Sequence, residues 1–528
     1  MNGSTAGAAV PAVELLGITK AFPGVVANDA IDLKVFPGEV HCLLGENGAG
    51  KSTLMSVLSG MTQPDAGRIR VAGGEVRIDS PRSALEHGIG MVYQHSTLVP
   101  ALSVLENLLL GEGAGLRLDW AAGESRLREV AGTLGIEIDP AARTGDLSLG
   151  QQQQIEIVKA LWRGSNVLIL DEPTSMLTPE GVAELEKVLL RMKDRGQAIV
   201  FITHKLHEAT SIGDRVTVLK QGRVVGTLGV EQLRSRTHAD LRAEIVRIMF
   251  GEEEPAAGAV AELADGLLQR TRPSRAGGDV LLELSRVSAR GEGLSGGIES
   301  VSLRLHAGEI LGVAGVDGNG QRELAEVVAG QRRTTAGEVS LFGLPIGRLD
   351  VSARQKLGLR YVTDDRIGEG IVGSLGVALN LVLKRIGQRP YWKGGRIRRG
   401  EIDRHARDLV TRFDVRTPTI ATRAGTLSGG NIQKVLLARE LSSDPKVVVF
   451  NKPTYGLDIR TTVAVREQIR DLASTGVASL VISTDLEELI DLCDRIAVLY
   501  RGRLVGTLAN GPGAAERVGE LMVGSGAV

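Results

Sequence analysis

The sequence predicts an α/β fold built as two tandem copies of one domain, each around a largely parallel sheet. Three observations carry this. Motifs recur in one order at near-constant spacing: Gly45-Glu46-Asn47-Gly48-Ala49-Gly50 returns in shape as Gly315-Val316-Asp317-Gly318-Asn319-Gly320, Leu147-Ser148-Leu149-Gly150 as Leu427-Ser428-Gly429-Gly430, and Pro173-Thr174 as Pro453-Thr454. Continuous apolar runs at 167–170 and 198–202 have the length and lack of alternation of strands buried on both faces. A short apolar run at 40–44 enters a glycine loop, followed by a helical pattern over 52–58. The expected organisation is a tail at 1–11, a first domain at 12–250, a linker at 251–279 rich in Ala, Gly, Glu and Arg, and a second domain at 280–528.

Composition bounds the function. Lys and Arg total 62 against 63 Asp and Glu, a net charge of −1 over 528 residues, which argues against a polybasic nucleic-acid binder. With 43% hydrophobic and 24% charged residues the chain reads as globular rather than disordered. Cys42 and Cys493 alone exclude a disulfide framework and a multi-cysteine zinc site, and they suit a reducing, cytosolic setting as buried fillers. Residues 1–11 lack the basic start and apolar stretch of a signal peptide, and no run approaches the 18 or so apolar residues of a membrane span. A role at a membrane therefore needs a partner.

The elements then follow in order. Gly45-x4-Gly50-Lys51-Ser52 is a complete phosphate loop between a strand and a helix: backbone amides can cradle phosphates, Lys51 reach the β/γ-phosphates and Ser52 ligate Mg²⁺. A third apolar strand, 89–93, leads into Gln94, which alone would read as a surface residue. The run at 167–170 ends in Asp171 and Glu172; the first suits the Mg²⁺ shell and the second a base or polariser for an attacking water. A helical pattern spans 179–194, and the 198–202 strand leads to His204, which alone would be a hydrogen-bonded strand-end histidine. Together these residues fall at strand C-termini, where open α/β sheets bind ligands. His207 reads as a surface helix residue.

The phosphate loop, Gln94, Leu147-Ser148-Leu149-Gly150-Gln151, Asp171-Glu172-Pro173-Thr174 and His204 resemble the ATP-binding cassette (ABC) ATPases, twice over and across nearly the whole chain. The resemblance implies two P-loop cassettes, each a RecA-like core with an antiparallel β subdomain and a helical signature subdomain. It implies ATP and Mg²⁺ as cofactors, with Thr53 joining Gly45 to Ser52 in nucleotide contact, Ser52, Gln94 and Asp171 at the metal, and Glu172, His204 and Gln94 in hydrolysis. Phe22 matches the aromatic that stacks on adenine, its bland alternative being a strand-edge core residue. In this family the signature acts in trans, so one composite site would join the first phosphate loop to Ser428, Gly429, Gly430, Asn431 and Asp458. Cassettes would pair within the chain or across a dimer.

The second copy departs from the pattern. Gln321 and Arg322 stand for Lys51 and Ser52, Asn451 and Lys452 for Asp171 and Glu172, Asp364 for Gln94 and Thr484 for His204; Asp317 adds a negative charge inside the loop. No aromatic matches Phe22. In the first signature Leu149 replaces a glycine, and Thr178 stands where the second copy has Asp458. The losses fall almost wholly on one composite site, so one hydrolytic site per chain is expected. Arg322 remains a candidate substitute for the phosphate lysine.

Gly318-Asn319-Gly320-Gln321-x-Glu323-Leu324 and Leu427-Ser428-Gly429-Gly430-Asn431-x-Gln433-Lys434 resemble the importer ATPases of the ribose/galactose/xylose and nucleoside group, and the first-half signature with Thr178-Pro179 resembles its nucleoside branch. This implies a bacterial importer subunit at the cytoplasmic face of the membrane, two transmembrane permease subunits met beside Gln94 and Asp364, an extracytoplasmic solute-binding protein, and no nucleic acid. The alternative is a soluble twin-cassette ATPase acting on the ribosome, a class that usually keeps both sites and a long charged linker. Lys384, Arg385, Arg389, Lys393, Arg396, Arg398 and Arg399 around Tyr391 and Trp392 read as a solvated loop, or else as a contact for anionic lipid, permease or RNA.

Overall fold

The computed structural model describes residues 10–23, 25–46, 48–93, 96–111, 118–175, 177, 179–250, 278–291, 296–522 and 524. Most of the expected tail and linker lie outside the described residues, as do Asn47, Gln94 and Thr178. The chain divides into two units, Met1–Leu267 and Leu268–Val528.

In the first unit an antiparallel sheet runs in the order Val25–Val35, Val13–Phe22, Ala66–Val71, Gly74–Val76. Ile31, Leu33 and Val35 are buried while Asp32 and Lys34 between them are exposed, the alternation of a sheet with one wet face. A six-stranded sheet follows the order Arg223–Leu228, Arg215–Lys220, Val40–Gly45, Ala198–Thr203, Val167–Asp171, Ile89–Val92. All its pairs are parallel except the Arg223–Leu228 edge. Leu44 pairs with Thr203 and Asp171 with Ile202, so three strand ends finish level. Leu15 and Leu33 of the first sheet, Leu43, Ile169 and Val200 of the second, and Leu54 and Leu58 of the helix Lys51–Leu58 share one apolar cluster. That cluster ties the phosphate-loop helix to both sheets.

The second unit repeats both sheets: Ile298–His306, Val280–Ala289, Ala336–Leu341, Leu344–Pro345, and Leu359–Val362, Val447–Asn451, Ala478–Ser483, Ile310–Ala314, Arg495–Tyr500, Arg503–Ala509. Val447 and Val449 pack in one apolar cluster while Val448 and Phe450 pack in another, which is why such strands are apolar without alternation. Each unit adds a helical segment. In the first it comprises Val104–Leu109, Trp120–Leu134 and Leu149–Trp162; in the second, Val377–Leu381, Arg399–Arg412 and Gly429–Leu441. Ser103 with Glu106, and Ser148 with Gln151, form reciprocal capping boxes that fix where two of these helices begin.

The basic segment differs from a plain solvated loop. Trp392–Lys393 and Arg396–Ile397 pair as a short ribbon around Gly394 and Gly395, whose φ values of 58° and 74° permit the tight turn. Tyr391 is buried with Leu381, Ile402 and Ala406, its hydroxyl accepts from Arg385 at 2.9 Å, and Lys384 pairs with the buried Glu440 at 2.7 Å. The aromatic anchors what the charges alone suggested was free; residues 393–400 stay exposed. His207 is half-buried on the helix Leu206–Ile212, and Cys42 and Cys493 are buried. No helix among the described residues is long and apolar enough to cross a membrane.

Candidate functional site

Gly50 caps the helix Lys51–Leu58 with φ 101°, and a Cβ there would stand 2.3 Å from the Ala27 carbonyl oxygen and 2.7 Å from Asn28 Nδ2. A Cβ on Gly45 would stand 2.5 Å from the Leu219 carbonyl oxygen. Gly48 has φ 81°, and among the described residues other than its chain neighbours nothing lies within 4 Å of a Cβ there. The loop therefore needs glycine for two reasons: close backbone approach at 45 and 50, and left-handed backbone at 48 and 50. Lys51 is 5% exposed and donates to the carbonyls of Gly45 at 2.5 Å and Glu46 at 3.1 Å. Burial pushes its ammonium down, opposed by the charges of Glu172, Asp171 and Glu46. A cation held in low dielectric beside a helix N-terminus suits a polyphosphate. Ser52 is exposed on the first helical turn; Ala49 is buried and Thr53 half-buried.

Asp171 ends its strand. Burial raises its carboxyl above the usual value, the charge of Glu172 adds to this, and Lys51 opposes it. Glu172 has φ 45°, a left-handed backbone held by its N–H donating to the Ile202 carbonyl at 3.0 Å. Its Oε1 lies 2.8 Å from His204 Nδ1. Burial pushes the Glu172 carboxyl up, but the His204 hydrogen bond and the charges of His204, Lys51 and Lys205 outweigh it, so the group stays below its ordinary value. Glu172 is thus a carboxylate fixed in one place, able to orient a water through an accepted hydrogen bond.

Level strand ends bring Lys51, Asp171, Glu172 and His204 together. Phe22 ends the strand Val13–Phe22 with 44% of its surface exposed, and Lys20 Nζ lies 5.7 Å from its ring centroid. It is not a core aromatic. Among the described residues there is no group of three or more His, Cys, Asp or Glu arranged to hold a metal. Mg²⁺ needs no such cluster, because it takes one or two protein oxygens plus substrate phosphates and waters, and the Ser52 hydroxyl and Asp171 carboxylate are oxygens that could serve.

In the second unit Gly318 and Gly320 keep φ values of 88° and 103°, so the loop conformation survives. The chemistry is different. Gln321 Nε2 donates to the Val316 carbonyl at 2.9 Å, Lys452 Nζ pairs with Asp317 at 2.5 Å, and Asn451 Nδ2 donates to Asp364 Oδ1 at 2.8 Å. Arg322 is held by Glu326 at 2.7 Å and Glu369 at 3.2 Å. The Glu326 hydrogen bond raises the guanidinium's already high pKa despite some desolvation, with the charges of Glu326, Glu369 and Asp364 adding to it. The replaced residues satisfy one another, and Arg322 is engaged by carboxylates rather than left for a phosphate. Sequence reasoning missed this compensation. Its signal was present: a carboxylate becomes Lys452 while the loop gains Asp317.

The two signatures also differ. Ser148 accepts from the Gln151 N–H at 3.2 Å and its own N–H donates to Gln151 Oε1 at 3.0 Å. Asn431 is one methylene shorter; it donates to Ser428 Oγ at 2.9 Å and accepts from the Arg416 N–H at 2.7 Å. A Cβ on Gly430 would stand 3.2 Å from Asp458 Oδ2, and one on Gly429 would stand 3.5 Å from the Arg366 guanidinium. Asp458 caps the helix Ile459–Ser474, accepting from the Thr461 N–H at 2.9 Å and hydroxyl at 2.7 Å.

The sequence profile of the family described as ABC transporter matches residues 28–175 and 298–455. A glucose import ATP-binding protein of Haloferax volcanii is 41% identical over 98% of this chain and 96% of its own length. A guanosine import ATP-binding protein of Bacillus subtilis is 40% identical over 97% of each chain. A ribose import ATP-binding protein of Rubrobacter xylanophilus is 41% identical over 96% of this chain and 97% of its own.

Proposed function

The chain belongs to the ABC transporter family, and on that premise we propose that it is the ATP-hydrolysing subunit of an importer that takes up a nucleoside or a simple sugar. The observation that carries this is a complete phosphate loop, carboxylate pair and histidine at level strand ends, in a chain matched end to end by import ATP-binding proteins.

ATP with Mg²⁺, when bound, supplies the transferable γ-phosphoryl group and the metal charge that offsets the phosphate oxygens. The loop amides from Gly45 to Gly50 and the Lys51 ammonium hold the β- and γ-phosphates, with Thr53 beside them and Phe22 against the adenine. Ser52 and Asp171 would hold the metal, and the family resemblance assigns Gln94 to it as well. Glu172 orients the attacking water, and His204, bonded to it through Nδ1, keeps that carboxylate ionised and aimed. The signature residues Ser428, Gly429, Gly430 and Asn431, with Asp458, are assigned to the same hydrolytic step. The internally paired second loop supports one hydrolytic site per chain.

Two transmembrane permease subunits and a solute-binding protein complete the importer, and this chain sits at the cytoplasmic face of the membrane as a peripheral subunit. The relatives divide between sugars and a nucleoside, and we assign the choice of solute to those partner chains. None of the observations favours action on the ribosome. The test is uptake of labelled guanosine, ribose and glucose by a strain lacking this chain: loss of one, restored by the wild-type chain and not by Lys51→Ala, is expected. Normal uptake of all three together with ribosome co-sedimentation of the chain would overturn the reading.

A further inference from the structure

Behind the reacting face lies a second link between the same two chain segments. Glu208 is 1% exposed, in the first turn of the helix Leu206–Ile212. The Thr174 hydroxyl donates to its Oε1 at 2.5 Å and the Thr203 hydroxyl to its Oε2 at 2.6 Å. Thr174 and Thr203 are themselves 3% and 2% exposed. Thr174 follows Glu172 by two residues, and Thr203 directly precedes His204. The Lys205 N–H donates to the Thr203 oxygen at 3.0 Å, and Lys205 Nζ lies 3.7 Å from Glu208 Oε1.

Deepening the proposed hydrolytic function and resting on it, we propose that Glu208 is a positioning residue for that site: its two oxygens tie the loop carrying Glu172 to the strand end carrying His204, and so set the contact between them. Glu172 holds a left-handed φ of 45° that an unbraced glutamate rarely adopts. Its loop is braced on one side by the Ile202 carbonyl and on the other by the Thr174 bond to Glu208. A buried carboxylate demands its donors, because an unpaired one has no water to replace them. The hydroxyls of Thr174 and Thr203 therefore stay where Glu208 places them.

The second unit supplies the control. Glu488 accepts from the Thr454 hydroxyl at 2.6 Å and the Ser483 hydroxyl at 2.6 Å, and Lys452 has the same φ of 45° as Glu172. The same two hydroxyl bonds form here without a Glu172–His204 pair, although Asp485 stands where Lys205 does and Arg466 faces Glu488, so the joint belongs to the fold and orders a glutamate–histidine pair only in the first unit. Ser483 at the place of Thr203 keeps the hydroxyl bond without the methyl.

The experiment is ATP turnover of the full chain with thermal unfolding of each variant. Glu208→Gln is expected to lower kcat about tenfold or more while KM for ATP moves less than about twofold, since the phosphate loop is untouched. Thr203→Val, which keeps the shape and removes the hydroxyl, is expected to do the same, and Thr203→Ser to recover wild-type turnover; this pair carries the test should Glu208→Gln fail to fold. Glu488→Gln is expected to spare kcat. In a His204→Ala background, single-turnover measurement of Glu208→Gln is expected to show no further loss. Equal losses from Glu208→Gln and Glu488→Gln, an additive loss with His204→Ala, or wild-type turnover by Thr203→Val would each overturn the assignment. A wild-type chain with no ATP turnover would instead sink the hydrolytic function itself.

Discussion

Gly50→Ala separates a glycine required by contact from one required by backbone angle alone. At Gly50 the added Cβ meets the Ala27 carbonyl oxygen at 2.3 Å and Asn28 Nδ2 at 2.7 Å, with φ at 101°. Asn28 is fully buried and donates to the Gly50 carbonyl at 3.0 Å, so relief of the clash displaces a buried hydrogen bond as well. Left-handed backbone costs about 1–2 kcal/mol, overpacking about 1–3 and the displaced bond about 1, together about 3–6 kcal/mol. At Gly48 φ is 81° but, chain neighbours aside, no atom of the described residues lies within 4 Å of an added Cβ, so Gly48→Ala costs the backbone share of about 1–2 kcal/mol. With Trp120 and Trp392 changed to Phe, the buried Trp162 reports urea unfolding of the first unit alone. Gly50 also starts the helix bearing Lys51, so ATP affinity should fall with stability in Gly50→Ala and hold in Gly48→Ala. Variants equal within about 1 kcal/mol, or Gly48→Ala the worse of the two, would refute the contact argument.

Other outcomes follow from the same geometry. Glu172→Gln should bind ATP normally yet turn it over roughly 10²- to 10⁴-fold more slowly, whereas Lys452→Gln at the matching place should leave turnover within about twofold; comparable losses would discredit the asymmetry. Gly429→Arg should abolish hydrolysis and Gly150→Arg reduce it far less, measured as phosphate release, and equal losses would remove the Ser428–Asn431 signature from the hydrolytic step. Burial pushes both the Cys42 and Cys493 thiols up. A chromogenic disulfide reagent at pH 8 should therefore find no reactive thiol in the native chain and two after denaturation; rapid native labelling would show that these side chains are reachable.

Much of the site was legible because its chemistry sits in contiguous motifs. Gly45 to Ser52 announces phosphate binding by residue type and spacing, and the apolar run ending in Asp171 and Glu172 announces a strand end with two carboxylates. Phe22 was ambiguous in sequence, since an aromatic at a strand edge packs inward or outward with equal ease, and its exposure settled which. The basic segment is largely solvated, as its charge suggested, but charge count could not show the anchor: Tyr391 is buried and draws the chain in. Asn431 stands where the first signature has Gln151, and its shorter side chain exchanges a helix-capping box for a bond to the Ser428 hydroxyl.

By itself the sequence determined the duplication, the α/β class, the phosphate loop, the family and the inequality of the two halves. Each is carried by residue identity within short windows, or by order along the chain, which no folding step alters. Tertiary structure alone decided which distant residues answer one another. Lys452 reaches Asp317, Asn451 reaches Asp364, and Glu208 joins Thr174 to Thr203. These pairings depend on parallel strands ending level, and level ends depend on a register set by packing on both faces of the sheet.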